Sequence, residues 1–175
     1  RKMSKGDVVV YILFKFGELE GLRQQQFLKE CFFNLTKIKV IMIDVVCAVI
    51  KRDGLFLIGR RAKGKCLQDL FEFVRGKVED GECYLAAVKR EVHEEIGMDV
   101  EVGKLLFPII YTYGHEEICL WPYLCKLTSD SAKPQENLTI HSELVWVTVE
   151  ELHGYKFATA NNPIVRNLER RAGMW

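Results

Sequence analysis

The sequence predicts an α/β domain, and three stretches carry that expectation. Residues 43–50 read IDVVCAVI, β-branched and nearly continuous in apolar character, as a strand buried on both faces would be. Between Gly76 and Gly97, Leu85, Val88, Val92 and Ile96 recur at steps of three and four, which marks one apolar face of a helix. Residues 100–113 and 117–126 then alternate well enough to form two long strands. At 175 residues the chain fits one domain with a sizeable core, plus an appendage.

The elements follow in order. Residues 21–33 are expected to form a short helix and 37–41 to run toward the first strand, with Met42 immediately before it. The expectation is a dispensable N-terminal extension over 1–41 and a domain over 42–175. Arg52-Asp53-Gly54 supplies a turn, and 55–59 return as the second strand of a hairpin. Arg60, Arg61, Lys63 and Lys65 make a basic loop that is either simply solvated or, beside a phosphate site, a source of anion-holding cations. Gly97 stands where a helix C-terminus favours a residue free to take positive φ. Beyond the two long strands, residues 113–117 form a turn and 129–137, with Pro134, a surface loop. Residues 144–147 are a last strand, 149–152 begin a short helix, and a final helix runs from Pro163 toward Arg171. Pro163 suits the first helical position, which makes Asn162 the natural N-cap and leaves Asn161 outside it.

Charge is distributed unevenly. The chain holds 24 acids against 25 Lys plus Arg. Residues 76–98 alone hold six acids against three bases. Glu91 lies one helical turn from both Glu94 and Glu95, so three carboxylates come within side-chain reach. Like charges so spaced repel, and a hard divalent cation with oxygen ligands would offset that repulsion. A net charge of +1 argues against a dedicated nucleic-acid surface. Six cysteines show neither CxxC pairs nor a small secreted framework, and Cys47, Cys119 and Cys125 read as buried thiols in a reducing compartment. No stretch reaches the length of a membrane span. The apolar run 8–14 is short and lacks a small-residue cleavage site, so the expected compartment is the cytoplasm.

Gly76-x5-Glu82-x7-Arg90-Glu91-Val92-x-Glu94-Glu95-x-Gly97-Met98 resembles the signature of the Nudix hydrolases at every fixed position. Seven fixed residues coincide by chance about once in a billion starting positions. Residues 71–77 and the order Glu143, Trp146, Glu150, Leu152 are similar to the MutT-like branch, and the likeness covers about residues 42–172. It implies an α/β/α sandwich with a mixed sheet and a loop–helix–loop that holds Mg²⁺ or Mn²⁺. It further implies cleavage of a nucleoside triphosphate to monophosphate and pyrophosphate, with 8-oxo-dGTP as the expected substrate. Alternatives are CTP or methyl-CTP pyrophosphatase, dinucleoside polyphosphate or RNA 5′-pyrophosphohydrolase, and a module that binds without catalysis.

The same likeness assigns roles residue by residue. Glu94 and Glu95 are the principal metal ligands, Glu91 is a ligand or base, Glu82 is an outer carboxylate, and Arg90 aims a glutamate. The backbone carbonyl at Arg75 contributes to metal binding, although Val74-Arg75 stands where the branch has Pro-Gly. Arg61 and Lys77 are expected to hold phosphates, Asn161 to read the base, and Tyr113 to pack on it. Glu143 lies near a further carboxylate of some members. The expected partner is the nucleotide alone, with the chain a monomer that binds no nucleic acid stably and no membrane.

Overall fold

A computed structural model describes residues 42–113, 116–129 and 140–172. The expected extension 1–41, the surface loop 129–137 beyond its first residue, and the tip of the turn near 114–115 lie outside the described residues. The described part belongs to a unit of its own, Met42–Trp175.

The described residues form eight strands and two α-helices. The strands are β1 (Met42–Arg52), β2 (Leu55–Arg61), β3 (Phe71–Glu72), β4 (Val74–Lys77), β5 (Val100–Leu105), β6 (Ile109–Tyr113), β7 (Glu116–Leu127) and β8 (His141–Val147). Helix α1 (Tyr84–Ile96) joins β4 to β5, and α2 (Asn162–Arg170) ends the described chain. The sheet is mixed: β1 runs parallel to β7, with Val46 opposite Trp121, and its other pairings are antiparallel. One edge of β1 serves two partners. Residues 45–48 pair with β4, and residues 51–52 pair with β2. Strand β4 therefore enters where β1 and β2 diverge, and this carries Arg75 and Gly76 to the middle of the sheet.

Residues 45–50 are all buried, as a strand covered on both faces requires. Alternation sends Val45, Cys47 and Val49 into one cluster with Phe73, Ile164 and Leu168, the face that α2 covers. The intervening side chains point to the opposite face, where α1 packs on β1, β4 and β5. This is the expected sandwich. The hairpin turns on Asp53 (φ 50°) and Gly54 (φ 81°), successive left-handed residues that match the twist of the flanking strands.

Several local expectations are corrected. Leu85 is 45% exposed, whereas Tyr84 is buried in its place. The first helical turn docks through the Tyr84 ring, 4.8 Å from Trp121, and its hydroxyl donates to Asp44 Oδ2 at 2.7 Å. The long strand expected over 100–113 is two strands interrupted at 106–108, where Pro108 lacks the N–H that a continuous ladder needs. Arg60 and Arg61 belong to β2 rather than to a loop, and the last strand begins at His141. A 3₁₀ turn over Leu152–Gly154 stands where a helix was expected. Asn161, not Asn162, occupies the N-cap position of α2, after a 3₁₀ turn over Thr159–Asn161.

We propose that residues 42–175 fold and act without the preceding 41. The core cluster of the described residues draws on β1 through α2 within that range. A chain starting at Met42 is expected to melt cooperatively and to keep its turnover. Insolubility or loss of activity would show that the first 41 residues complete the core or the site.

Candidate active site

The site grows from the loop that leads into α1. Glu82 closes it by accepting the Glu79 backbone N–H at 3.1 Å while its own N–H donates to the Glu79 carbonyl at 3.0 Å. At the far end, Gly97 takes φ 66° and ψ 26°, and its N–H donates to the His93 carbonyl, a left-handed cap.

Arg90 is the hub of the helix's acidic face. Its guanidinium grips both Glu82 oxygens, at 2.9 and 2.8 Å, and the Lys77 carbonyl at 2.9 Å. It also donates to Glu91 Oε1 at 2.7 Å and to Glu94 Oε2 at 3.2 Å. The fork geometry fits this bidentate grip, and the Arg90 bond holds Glu82 below the ordinary carboxylate range. Glu91 is less favoured as an anion: burial raises its pKa, although Arg90 partly offsets that. It fits only because residue 76 is glycine, since a Cβ there would lie 1.8 Å from the Glu91 carboxyl carbon.

Glu95 points inward. It accepts the Arg75 backbone N–H, but its Oε2 is buried with no hydrogen-bond partner. Burial, reinforced by the charges of Glu72 and Glu91, pushes its pKa up to about 8. Glu72 is more deeply buried and behaves oppositely. Burial disfavours its charge, yet the His141, Arg75 and Arg61 contacts outweigh that and bring its pKa down to about 2. Arg61 Nη1 donates to Glu72 Oε1 at 2.5 Å, and Arg75 Nε to Glu72 Oε2 at 2.7 Å.

Among the described residues, no three acidic, histidine or cysteine side chains surround a common point as metal ligands would. Arg90 draws Glu91 and Glu94 to itself instead. A hard divalent cation nevertheless fits the donor set. The donors are carboxylate oxygens, one of them a buried orphan, and burial disfavours the charged forms of Glu91 and Glu95. Glu91, Glu94, Glu95 and the backbone at Arg75 are the groups that would hold it.

The remaining expected residues are placed as follows. Arg75 lies in β4 opposite Cys47, and it is not among the described residues with positive φ. The side chain therefore replaces glycine there without left-handed strain. Arg61 is turned inward onto Glu72, and its Nε donates to the Cys66 carbonyl at 2.6 Å. Lys77 is exposed at the end of β4. Glu143, on β8, pairs with Arg60 Nε at 3.0 Å. Asn161 is fully buried. Its Oδ1 accepts the Phe73 N–H at 3.3 Å, and its Nδ2 donates to the Ala158 carbonyl at 3.4 Å. The Tyr113 side chain lies outside the described residues.

Sequence reasoning missed the Arg61–Glu72–Arg75 ion cluster and the buried His141 beside it. The sole available signal for the first was an acid at position 72 flanked by Phe71 and Phe73. Nothing in the local pattern marked His141.

A NUDIX domain profile matches residues 45–167. The chain is 32% identical over 124 residues to a CTP pyrophosphohydrolase of Escherichia coli, covering 71% of this chain and 89% of that protein. It is 29% identical over 129 residues to an 8-oxo-dGTP diphosphatase of the same organism, covering 73% and 97% respectively. The solution structure of the E. coli ORF135 protein superposes with a TM-score of 0.66 at 30% identity, over 77% of this chain and 94% of that one.

Proposed function

Because the chain belongs to the NUDIX domain family, we propose that it hydrolyses a nucleoside triphosphate to the monophosphate and pyrophosphate, with 8-oxo-dGTP as its substrate. Water adds across one phosphoanhydride bond: its oxygen ends on one product, and its protons pass to the products or to solvent. The observation that carries the reading is the buried, unpartnered Glu95 oxygen beside Glu91 on the sheet-facing side of an acidic helix. Bound Mg²⁺ or Mn²⁺ would neutralise phosphate oxygens and lower the pKa of the attacking water. Arg90 fixes Glu91 and Glu94 relative to the Gly76–Glu82 loop, so the carboxylates are aimed before substrate arrives. Exposed Lys77 is available to the phosphate chain.

Asn161 is the proposed base reader. An amide offers donor and acceptor side by side, whereas guanine presents two acceptors, O6 and N7, on its major-groove edge. Oxidation at C8 places a proton on N7, and the edge then matches the amide. The Asn161 amide is fully buried and bonds the Phe73 N–H and the Ala158 carbonyl, so reading a base requires it to give up those bonds. Those same bonds favour a second reading, CTP pyrophosphohydrolysis, in which Asn161 stays in the fold; the 32% identical relative bears that name.

The reading takes the chain as a cytoplasmic monomer acting on free nucleotides. No helix among the described residues is long and apolar enough to cross a membrane. The test is a panel of 8-oxo-dGTP, dGTP, CTP, methyl-CTP, a dinucleoside polyphosphate and 5′-triphosphate RNA, with Mg²⁺, scored for pyrophosphate against phosphate. The expected result is the highest kcat/KM on 8-oxo-dGTP with pyrophosphate released. A clear preference for CTP would establish the second reading, and no turnover on any substrate would leave a binding module.

A further inference from the structure

We propose that His141 is a positioning residue that holds the Glu95 carboxylate in register for the metal; this rests on the reading of Glu95 as a metal ligand. The imidazole is 1% exposed, yet neither ring nitrogen makes a hydrogen bond. Nε2 stands 3.7 Å from Glu72 Oε1 and 3.9 Å from Glu95 Oε2. Both separations exceed hydrogen-bond length, so each carboxylate faces the ring nitrogen without closing a bond on it. Glu95 Oε2 is itself an orphan. Buried polar atoms are nearly always paired, and a cluster of unpaired ones points to a role other than stability.

The two carboxylates differ in what else they have. Glu72 is clamped by Arg61 and Arg75, whereas Glu95 has the Arg75 backbone N–H and, among the described residues, no Lys or Arg side chain within ion-pair distance; the imidazole faces it instead. An N–H on Nε2 would face both carboxylates and, with Glu72 already held by two guanidinium groups, would be available to Glu95. The surrounding sheet is shaped around the ring. A Cβ at Gly59 would come within 2.4 Å of the imidazole, so β2 gives up a side chain to admit it. The register of β2 against β8 shifts between Arg60 and Arg61, opposite His141, and such a bulge re-aims a side chain. Strand β3 brings Glu72 opposite Gly59, which completes the enclosure.

The experiment measures Mn²⁺ binding to the full chain without nucleotide, by the loss of free-ion EPR signal, with folding followed by thermal melting. His141→Leu keeps the bulk and removes the donor, and it should weaken Mn²⁺ binding about tenfold, the size expected for a partner that orients a ligand. His141→Gln places an amide N–H near the Nε2 position and should recover most of that loss. His141→Asn reaches only as far as Nδ1 and should not. If His141→Leu folds and binds Mn²⁺ like wild type, the inference is overturned. Should the leucine variant fail to fold, equal affinities of the Gln and Asn variants would overturn it instead. Wild-type protein that binds no Mn²⁺ would remove the metal reading and this inference together. Wild-type binding that none of the three variants alters would sink the role of His141 alone.

Discussion

Glu95→Gln is expected to lower kcat/KM for nucleotide hydrolysis about a thousandfold, since a metal clamp supplies several kcal/mol of transition-state stabilisation. Glu94→Gln is expected to act in the same direction. Each change keeps the shape of the side chain and deletes a charged oxygen ligand. Glu95 is the more informative of the two, because its Oε2 is buried without a partner and its charge is opposed by Glu72 and Glu91. Neutralising it relieves that repulsion, so the metal-free melting temperature should hold or rise while turnover collapses. A stability loss would instead make Glu95 part of the fold's own ion network. Near-wild-type hydrolysis by either variant across a Mg²⁺ titration would remove that glutamate from the metal centre.

Asn161→Ala is expected to cut kcat/KM for 8-oxo-dGTP by about two orders of magnitude, the cost of one unpaired polar contact in a site built for it. Hydrolysis of dGTP should fall much less, so selectivity collapses. The buried position adds a second consequence. Alanine leaves the Phe73 N–H without its acceptor, and a buried orphan of that kind costs about 1–3 kcal/mol of stability. Rates must therefore be compared well below the variant's melting temperature. Asn161→Asp keeps an acceptor for Phe73 and loses the donor. It also buries a carboxylate oxygen against the Ala158 carbonyl, so it should restore neither the stability nor the preference for the oxidised base. Equal losses on both nucleotides in the alanine variant would mean that Asn161 holds Phe73 to Ala158 and reads nothing.

Much of the fold is legible in the order of the amino acids. The helix from Tyr84 to Ile96 and its glycine stop follow from short-range periodicity, a property of the helix itself. The hairpin at Asp53-Gly54 is equally local. Buried Cys47, Cys119 and Cys125 follow from the apolar runs that contain them. Where local pattern fails, a neighbour from elsewhere in the chain intervenes. Leu85 continues the apolar spacing of α1, but Tyr84 reaches Trp121 and Asp44 and takes the buried place. Pro108 is a break that the alternation on either side of it conceals.

The sequence by itself determined the acidic helix and the family signature, because both rest on residues spaced within a few turns of one another, and the mixed α/β architecture was implied by that likeness. Tertiary structure alone decided how the charges are divided. Arg61 looked free for phosphates and is bonded to Glu72, on the strand beside its own. Asn161 bonds the backbone 88 positions away. His141 meets Glu72, Glu95 and Gly59, three residues on three separate elements. Such contacts depend on strand register and on which side chains are left out, and neither quantity has a period that a sequence window can display.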